Sequence, residues 1–159
     1  PMGNGHPVGA VITRRDIAER FAGHTVFFST FGGNPVSMAA AHAVLDVLAD
    51  ERVLPRVAEA GDALRAATRR VTAAHDCVGD VRGVGLANAI EIVTDRRSRT
   101  PDPIRAGQIK NGLRRHGVLV GTTGEHGNVL KVRPPLVFSH ADAERFATEL
   151  DATLAALDA

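Results

Sequence analysis

Ser29-Thr30-Phe31-Gly32-Gly33-Asn34-Pro35 is the stretch from which the fold can be worked out. It follows an apolar run at 24–28, sets two hydroxyl side chains before a glycine turn, and ends in a helix start, since Asn34 suits the N-cap and Pro35 the first helical position. The amide donors and positive dipole end of a helix start favour an anion. The stretch therefore predicts an anion cradle, with a capped helix after a glycine turn as the simpler alternative.

The residues before this stretch predict strand and helix in alternation. Pro7–Ile12 is a β-branched apolar run, Thr13 is placed to cap a helix from about Arg14, and His24–Phe28 is a second apolar run. One or two strands cannot form a stable sheet alone, because their edges need partners. We expect these strands to complete a larger sheet supplied by residues outside this chain.

The residues after this stretch predict helices around a small sheet. The alanine-rich helix from Pro35 is expected to be interrupted near Asp50-Glu51 and Pro55. The spacing of apolar residues, glycine turns and capping residues predict the further elements. These are a helix at 56–74, two strands around a glycine turn in 78–93, a helix at 104–116, strands at 118–120 and 129–132, and a last helix opened by Ser139 with Asp142. The predicted domains are residues 1–50 and 51–159.

Composition excludes several functional classes. The 19 basic and 18 acidic residues are spread along 159 positions and leave a net charge of +1, so neither nucleic acid nor a membrane is an expected partner. Cys77 is the single cysteine, which favours a reducing, cytoplasmic location. The seven histidines show no metal-ligand spacing, so no metal site is predicted. A start on Pro1 is typical of a cut inside a longer protein.

Four segments, taken together, resemble the class III aminotransferases, pyridoxal-phosphate enzymes of fold type I. They are Pro1–Pro7 (PMGNGHP), Ser29–Pro35, Asp80–Leu86 (DVRGVGL) and Asn128–Leu136 (NVLKVRPPL), and the resemblance runs from Pro1 to about Leu157. It implies an α/β fold that is the C-terminal portion of such an enzyme. The expected order is the end of the large-domain sheet, a long connecting helix, and a small α+β domain with an antiparallel sheet covered by helices.

The resemblance also implies a pyridoxal 5'-phosphate site shared across a homodimer. Thr30 matches the threonine that reaches the cofactor phosphate of the other subunit, and Ser29 stands where the family often has asparagine. The family's Schiff-base lysine would directly precede Pro1, so no catalytic residue is expected in this chain. Neither of its two lysines, Lys110 and Lys131, occupies that position.

Lys131 and Arg133 are the candidate binding residues for the anionic group of the substrate. Lys131 matches the position where most class III aminotransferases place an arginine for the substrate carboxylate, and Arg133 lies two residues on, on the same side of the strand. A compact ammonium serves phosphate well, whereas a guanidinium fork suits a carboxylate. The alternative is that both are solvent-facing charges on an edge strand.

The expected activity is transfer of an amino group between an amine or amino acid and a keto acid. A phospho-lyase acting on a phosphorylated amine is the first alternative, because Lys131, the loop with Glu125 and His126, and the turn with His6 resemble the branch of ethanolamine-phosphate and phosphohydroxylysine phospho-lyases. The second alternative is a non-catalytic fragment that acts only with a partner chain. The glycines of Asp80–Leu86 are interpreted as a tight turn, because no helix follows them.

Overall fold

The computed structural model describes residues 2–50 and 52–158. They form two compact units, Pro1–Val53 and Leu54–Ala159. The elements in chain order are α1 (Arg15–His24), α2 (Pro35–Asp50), α3 (Val53–Thr72), β1 (Val78–Val84), β2 (Ala87–Ile92), α4 (Pro103–Arg115), β3 (Gly121–Thr123), β4 (Val129–Val132) and α5 (His140–Asp158).

The first unit carries two helices with different kinds of start. The predicted start of α2 is confirmed, because Asn34 Oδ1 accepts a hydrogen bond from the Ser37 N–H at 2.9 Å and Pro35 is the first helical residue. The predicted cap of α1 at Thr13 is wrong. Arg14 occupies the N-cap without a side-chain capping bond and instead pairs with Asp16 at 2.7 Å.

The two segments predicted as strands in the first unit, Pro7–Ile12 and His24–Phe28, are not strands in this chain, and their completion of a sheet supplied from outside it stays a prediction. Neither segment pairs with another strand among the described residues, and Val11 and Val26 are 92% and 97% exposed. A β-strand exists only where a neighbouring strand accepts its hydrogen bonds, so apolar β-branched composition alone does not produce one.

The second unit is a four-stranded antiparallel sheet covered by helices, as predicted. The strand order is β1-β2-β4-β3, and Gly85, with φ of +51°, forms the predicted turn between β1 and β2. The strand predicted at Val118–Val120 is displaced, because β3 begins at Gly121. Its register comes from pairing with β4, in which Gly121 lies opposite Lys131.

Helices α3, α4 and α5 bury one face of this sheet. Leu64, Ile90, Ile109, Leu130 and Leu150 are each at most 1% exposed, and burial of each such side chain contributes about 1.5–3 kcal/mol.

The start of α3 lies earlier than predicted. The helix begins at Val53 rather than Arg56, because Pro55 falls in the first turn, where its missing N–H has no intrahelical partner to lose.

Candidate functional site

The loop that leads into α2 presents two hydroxyl side chains. Ser29 Oγ accepts a hydrogen bond from the Gly32 N–H at 3.0 Å, which leaves the Ser29 hydroxyl hydrogen to donate elsewhere. Thr30 is exposed, and its hydroxyl forms no hydrogen bond within residues 2–50 and 52–158. A Cβ on Gly32 would lie 2.7 Å from Ser29 Oγ, so glycine is needed for this arrangement. The loop therefore offers hydroxyl donors to an external acceptor.

The helix itself contributes fewer donors than its dipole suggests. Pro35 has no N–H, and the Ser37 N–H already donates to Asn34 Oδ1. Asn34 Nδ2 in turn donates to the Phe31 carbonyl at 2.9 Å, which fixes the loop backbone. Phosphate oxygens accept hydrogen bonds from hydroxyl and backbone N–H groups. The donor set that fits a phosphate is thus the pair of hydroxyls and the turn amides other than that of Gly32, which already donates to Ser29 Oγ.

His6 ties the upstream turn to this loop, a contact that the sequence analysis missed. The turn 3–6 is closed by a hydrogen bond from the His6 N–H to the Gly3 carbonyl at 3.0 Å, and both of its central residues have positive φ. His6 Nε2 lies 2.9 Å from Ser37 Oγ, which also accepts from Asn34 Nδ2 at 2.9 Å. This hydrogen-bond network therefore joins the turn at 3–6 to the start of α2, in two of the segments that carry the family resemblance.

A wide cleft of about 740 Å³ opens beside the loop within the first unit. It is lined by Gly9, Ala10, Val11, Phe27, Ser29, Gly32 and Gly33. Small residues predominate, so the backbone itself forms much of the wall, and the Ser29 hydroxyl is the polar side chain among the lining residues. The cleft therefore combines exposed backbone, the apolar side chains of Val11 and Phe27, and one hydroxyl.

Lys131 lies in the middle of the sheet of the second unit. It is half-buried on β4, opposite Ala89 of β2 and Gly121 of β3, and a Cβ on Gly121 would lie 3.5 Å from Lys131 Cε. Arg133 is exposed just beyond the end of β4. The predicted alternative of solvent-facing charges on an edge strand is wrong about the strand, because β4 pairs with a strand on each side, whereas Arg133 does face solvent.

Three further charged residues share the sheet face of Lys131, and the sequence analysis assigned them no role. Arg82 Nη1 donates to Asp80 Oδ2 at 2.9 Å and to Glu91 Oε2 at 2.7 Å, and these hydrogen bonds raise the pKa of the Arg82 guanidinium above its ordinary value. Lys131 forms no ion pair in the described part of the chain. The alternation of charged and apolar residues in β1 and β2 is the sequence signal from which this charged face could have been predicted.

The two candidate pairs belong to different units. Ser29 and Thr30 lie in Pro1–Val53, and Lys131 and Arg133 lie in Leu54–Ala159, so the structure defines each pair by itself. Pro1, beside which the resemblance places the Schiff-base lysine, lies outside the described residues.

Residues 2–50 and 52–158 hold neither a membrane-spanning helix nor a metal-binding cluster. None of the helices combines the length and the apolar character needed to cross a bilayer. No cluster of three or more His, Cys, Asp or Glu side chains there is arranged to hold a metal ion.

Relatives of this chain include both phospho-lyases and aminotransferases. Ethanolamine-phosphate phospho-lyase homolog 1 of Caenorhabditis elegans is 43% identical over 97% of this chain and 33% of its own length. Alanine–glyoxylate aminotransferase 2-like of Drosophila melanogaster is 44% identical over 92% of this chain and 30% of its own length. The chain thus spans about a third of the length of the curated relatives it matches.

Solved structures that resemble this chain likewise include a phospholyase and a transaminase. A phospholyase from Arthrobacter in complex with phosphoethanolamine superposes with a TM-score of 0.87, at 41% identity over 98% of this chain and 37% of the other. An amine transaminase from an uncultivated Pseudomonas species, in its PLP-bound form, has a TM-score of 0.75 at 33% identity, over 86% of this chain and 31% of the other.

The family model for class III aminotransferases matches residues 1–154 of this chain. Enzymes of this family depend on pyridoxal phosphate, the cofactor that the sequence predicted. The fold type I architecture implied by the resemblance is confirmed by the structural neighbours. The chain therefore belongs to the class III aminotransferase family.

Proposed function

We propose that this chain is the C-terminal part of a pyridoxal-phosphate enzyme that acts on amine substrates. In this proposal residues 1–50 complete the cofactor-binding domain and residues 51–159 form the small domain. The match of the family model over 1–154 supports it. Pyridoxal phosphate, when bound, supplies the electron sink for reactions at the carbon that carries the amine.

Ser29 and Thr30 would hold the phosphate of the cofactor. Their loop carries exposed hydroxyl donors, and Gly33 has open space where a side chain would begin, so its backbone can be approached closely. The loop is flanked by Phe28 and Phe31, both 83% exposed, and apolar side chains so exposed mark a surface that a partner covers. Either the remainder of the polypeptide or a second subunit would cover this surface, and we propose a homodimer in which the loop serves the cofactor of the other subunit.

Lys131 would bind the anionic group of the substrate, with Arg133 beside it. The observation that carries this assignment is that Lys131 is half-buried on the sheet face that the helices leave open, without an ion-pair partner among the described residues. A cation held in this way has not been neutralised by its own protein and attracts an anion from solution. An ammonium acts as a point charge and serves phosphate as well as carboxylate.

The reaction we favour is the elimination of phosphate and ammonia from a phosphorylated amine. Lys131 and the likeness to the Arthrobacter phospholyase support this choice. Amino transfer to a keto acid is the second candidate, and the similarity to the Drosophila protein, named for alanine–glyoxylate aminotransferase 2, supports it. The two reactions differ in one requirement, because transfer needs an acceptor and elimination does not.

The test uses the intact natural polypeptide that carries these residues. After addition of pyridoxal phosphate it should be yellow and should bleach on reduction with borohydride. It should then release phosphate from phosphoethanolamine without any keto acid. Strict dependence on an added acceptor, such as glyoxylate with alanine as donor, would establish amino transfer instead. A colourless preparation that converts neither substrate would contradict the enzymatic proposal.

The non-catalytic alternative has its own test. If the chain acts only with a partner chain, the coding sequence immediately before Pro1 should not carry a lysine codon. A lysine codon there supports the enzymatic proposal.

A cytoplasmic location is supported by the single free cysteine, Cys77. Two relatives are named as mitochondrial, so localisation of the tagged protein would test this location.

A further inference from the structure

Glu91 lies between two cations on the open face of the sheet. It sits on β2 opposite Asp80 of β1 and Val129 of β4, so Arg82 and Lys131 are both its diagonal neighbours on the same face. Diagonal neighbours are about 7–8 Å apart at the backbone, within reach of long side chains. The Glu91 carboxylate could therefore pair with either cation.

Glu91 pairs with Arg82 rather than with Lys131. Arg82 Nη1 lies 2.7 Å from Glu91 Oε2 and is also bound by Asp80 at 2.9 Å. Two carboxylates thus fix the guanidinium, and the guanidinium fixes Glu91 on the β1 side of its strand. Ala89, directly between Arg82 and Lys131 in the register, is too small to separate them by its side chain.

We propose that Arg82 is a positioning residue that keeps Glu91 away from Lys131, so that the Lys131 ammonium stays available for the anion of the substrate. This inference rests on the proposed role of Lys131. Without Arg82, Glu91 would keep Lys131 as the cation at its other diagonal position on the face. A substrate anion would then compete with an internal carboxylate for the same ammonium.

The kinetic test compares R82M, E91Q and R82M/E91Q in the intact enzyme, with phosphoethanolamine as substrate. R82M should raise KM by about two- to five-fold with little change in kcat, the range expected for a partly exposed ion pair. R82M/E91Q should return KM to the wild-type value, because the competing carboxylate is gone. R114M, on the helix that covers the opposite face, is the matched control and should leave KM unchanged.

A crystal structure of the R82M variant gives a readout that does not depend on activity. The Glu91 carboxylate should move to ion-pair distance from Lys131 Nζ. If it stays away from Lys131, or if R82M/E91Q keeps the raised KM, the positioning role is overturned. Failure of the proposed function would look different: K131M would leave KM for phosphoethanolamine unchanged, whatever the R82M crystal structure shows.

Discussion

Replacing His75 with alanine should remove a pH-dependent anchor of α5. His75 is 8% exposed, and its Nδ1 and Nε2 lie 2.8 Å from Asp158 Oδ2 and 3.1 Å from Asp151 Oδ1. Both ring nitrogens can donate to carboxylates only when the imidazole is protonated. Burial opposes the charge, but the hydrogen bonds to Asp158 and Asp151 outweigh it and raise the pKa of His75 above 6.5.

The sign of the pH dependence follows from this raised pKa. The folded state holds the proton more tightly than the unfolded state, so the contribution is complete below pH 6.5 and is lost as pH rises through the folded-state pKa. The Asp151 and Asp158 side chains are 53% and 41% exposed, which places each bond at the weak end of charged hydrogen bonds. We expect H75A to lower the free energy of unfolding by about 1–3 kcal/mol in acid and by less in alkali.

Urea unfolding of the chain at about pH 6 and about pH 9 measures this difference directly. Wild type should lose stability relative to H75A as pH rises, and the melting temperature at the lower pH should fall by about 2–4 °C per kcal/mol lost. H126A, a change in an exposed loop histidine, is the control and should change neither value. An H75A variant destabilised equally at both pH values would refute the reasoning.

Three further predictions test the fold and the loop network. Arg96 donates to four backbone carbonyls at and beyond the end of α3, so R96M should lower the free energy of unfolding by about 1–3 kcal/mol in urea titrations. A Cβ on Gly61 would lie 2.1 Å from the Gly85 carbonyl oxygen, so G61A should lower the free energy of unfolding by about 1–3 kcal/mol. Gly107 has open space around it, so G107A should raise the free energy of unfolding by up to about 1 kcal/mol. Equal effects of the two substitutions would contradict the close contact at Gly61. H6A should weaken cofactor binding about five-fold in equilibrium titrations, because it removes the hydrogen bond between His6 and Ser37 of α2. H6Q should retain most of the affinity, because glutamine can keep that hydrogen bond. Equal losses of affinity in the two variants would count against a role for this hydrogen bond.

Local chemistry made several elements predictable from sequence. The caps of α2 and α5 rest on residues within one turn of each helix start, and both are present. At α5, Ser139 Oγ accepts from the Asp142 N–H at 3.3 Å and Asp142 Oδ2 accepts from the Ser139 N–H at 2.9 Å, the reciprocal pair of a capping box. The turn at Gly85 follows from the same kind of short-range constraint. Such features depend on backbone conformation over a few residues, which the residue types largely determine.

Features that depend on distant partners were predicted poorly. The segments at 7–12 and 24–28 have strand composition but no strand to pair with among the described residues. The placement of β3 depends on its register with β4, and the central position of β4 depends on the strand order. The contact between His6 and Ser37 spans 31 residues, so no local pattern indicates it. Each of these features depends on tertiary contacts, which the sequence of one segment does not determine.

The most direct test of the central claim is the dissociation constant of pyridoxal phosphate from the intact enzyme carrying Thr30→Val. Valine keeps the shape of threonine and removes the hydroxyl that would bind the cofactor phosphate. We expect about 10- to 100-fold weaker binding for T30V and near wild-type binding for T30S, since a hydrogen bond to a charged group is worth about 1.5–3 kcal/mol. A T30V enzyme that binds the cofactor as tightly as wild type would contradict the assignment of this loop to the cofactor phosphate.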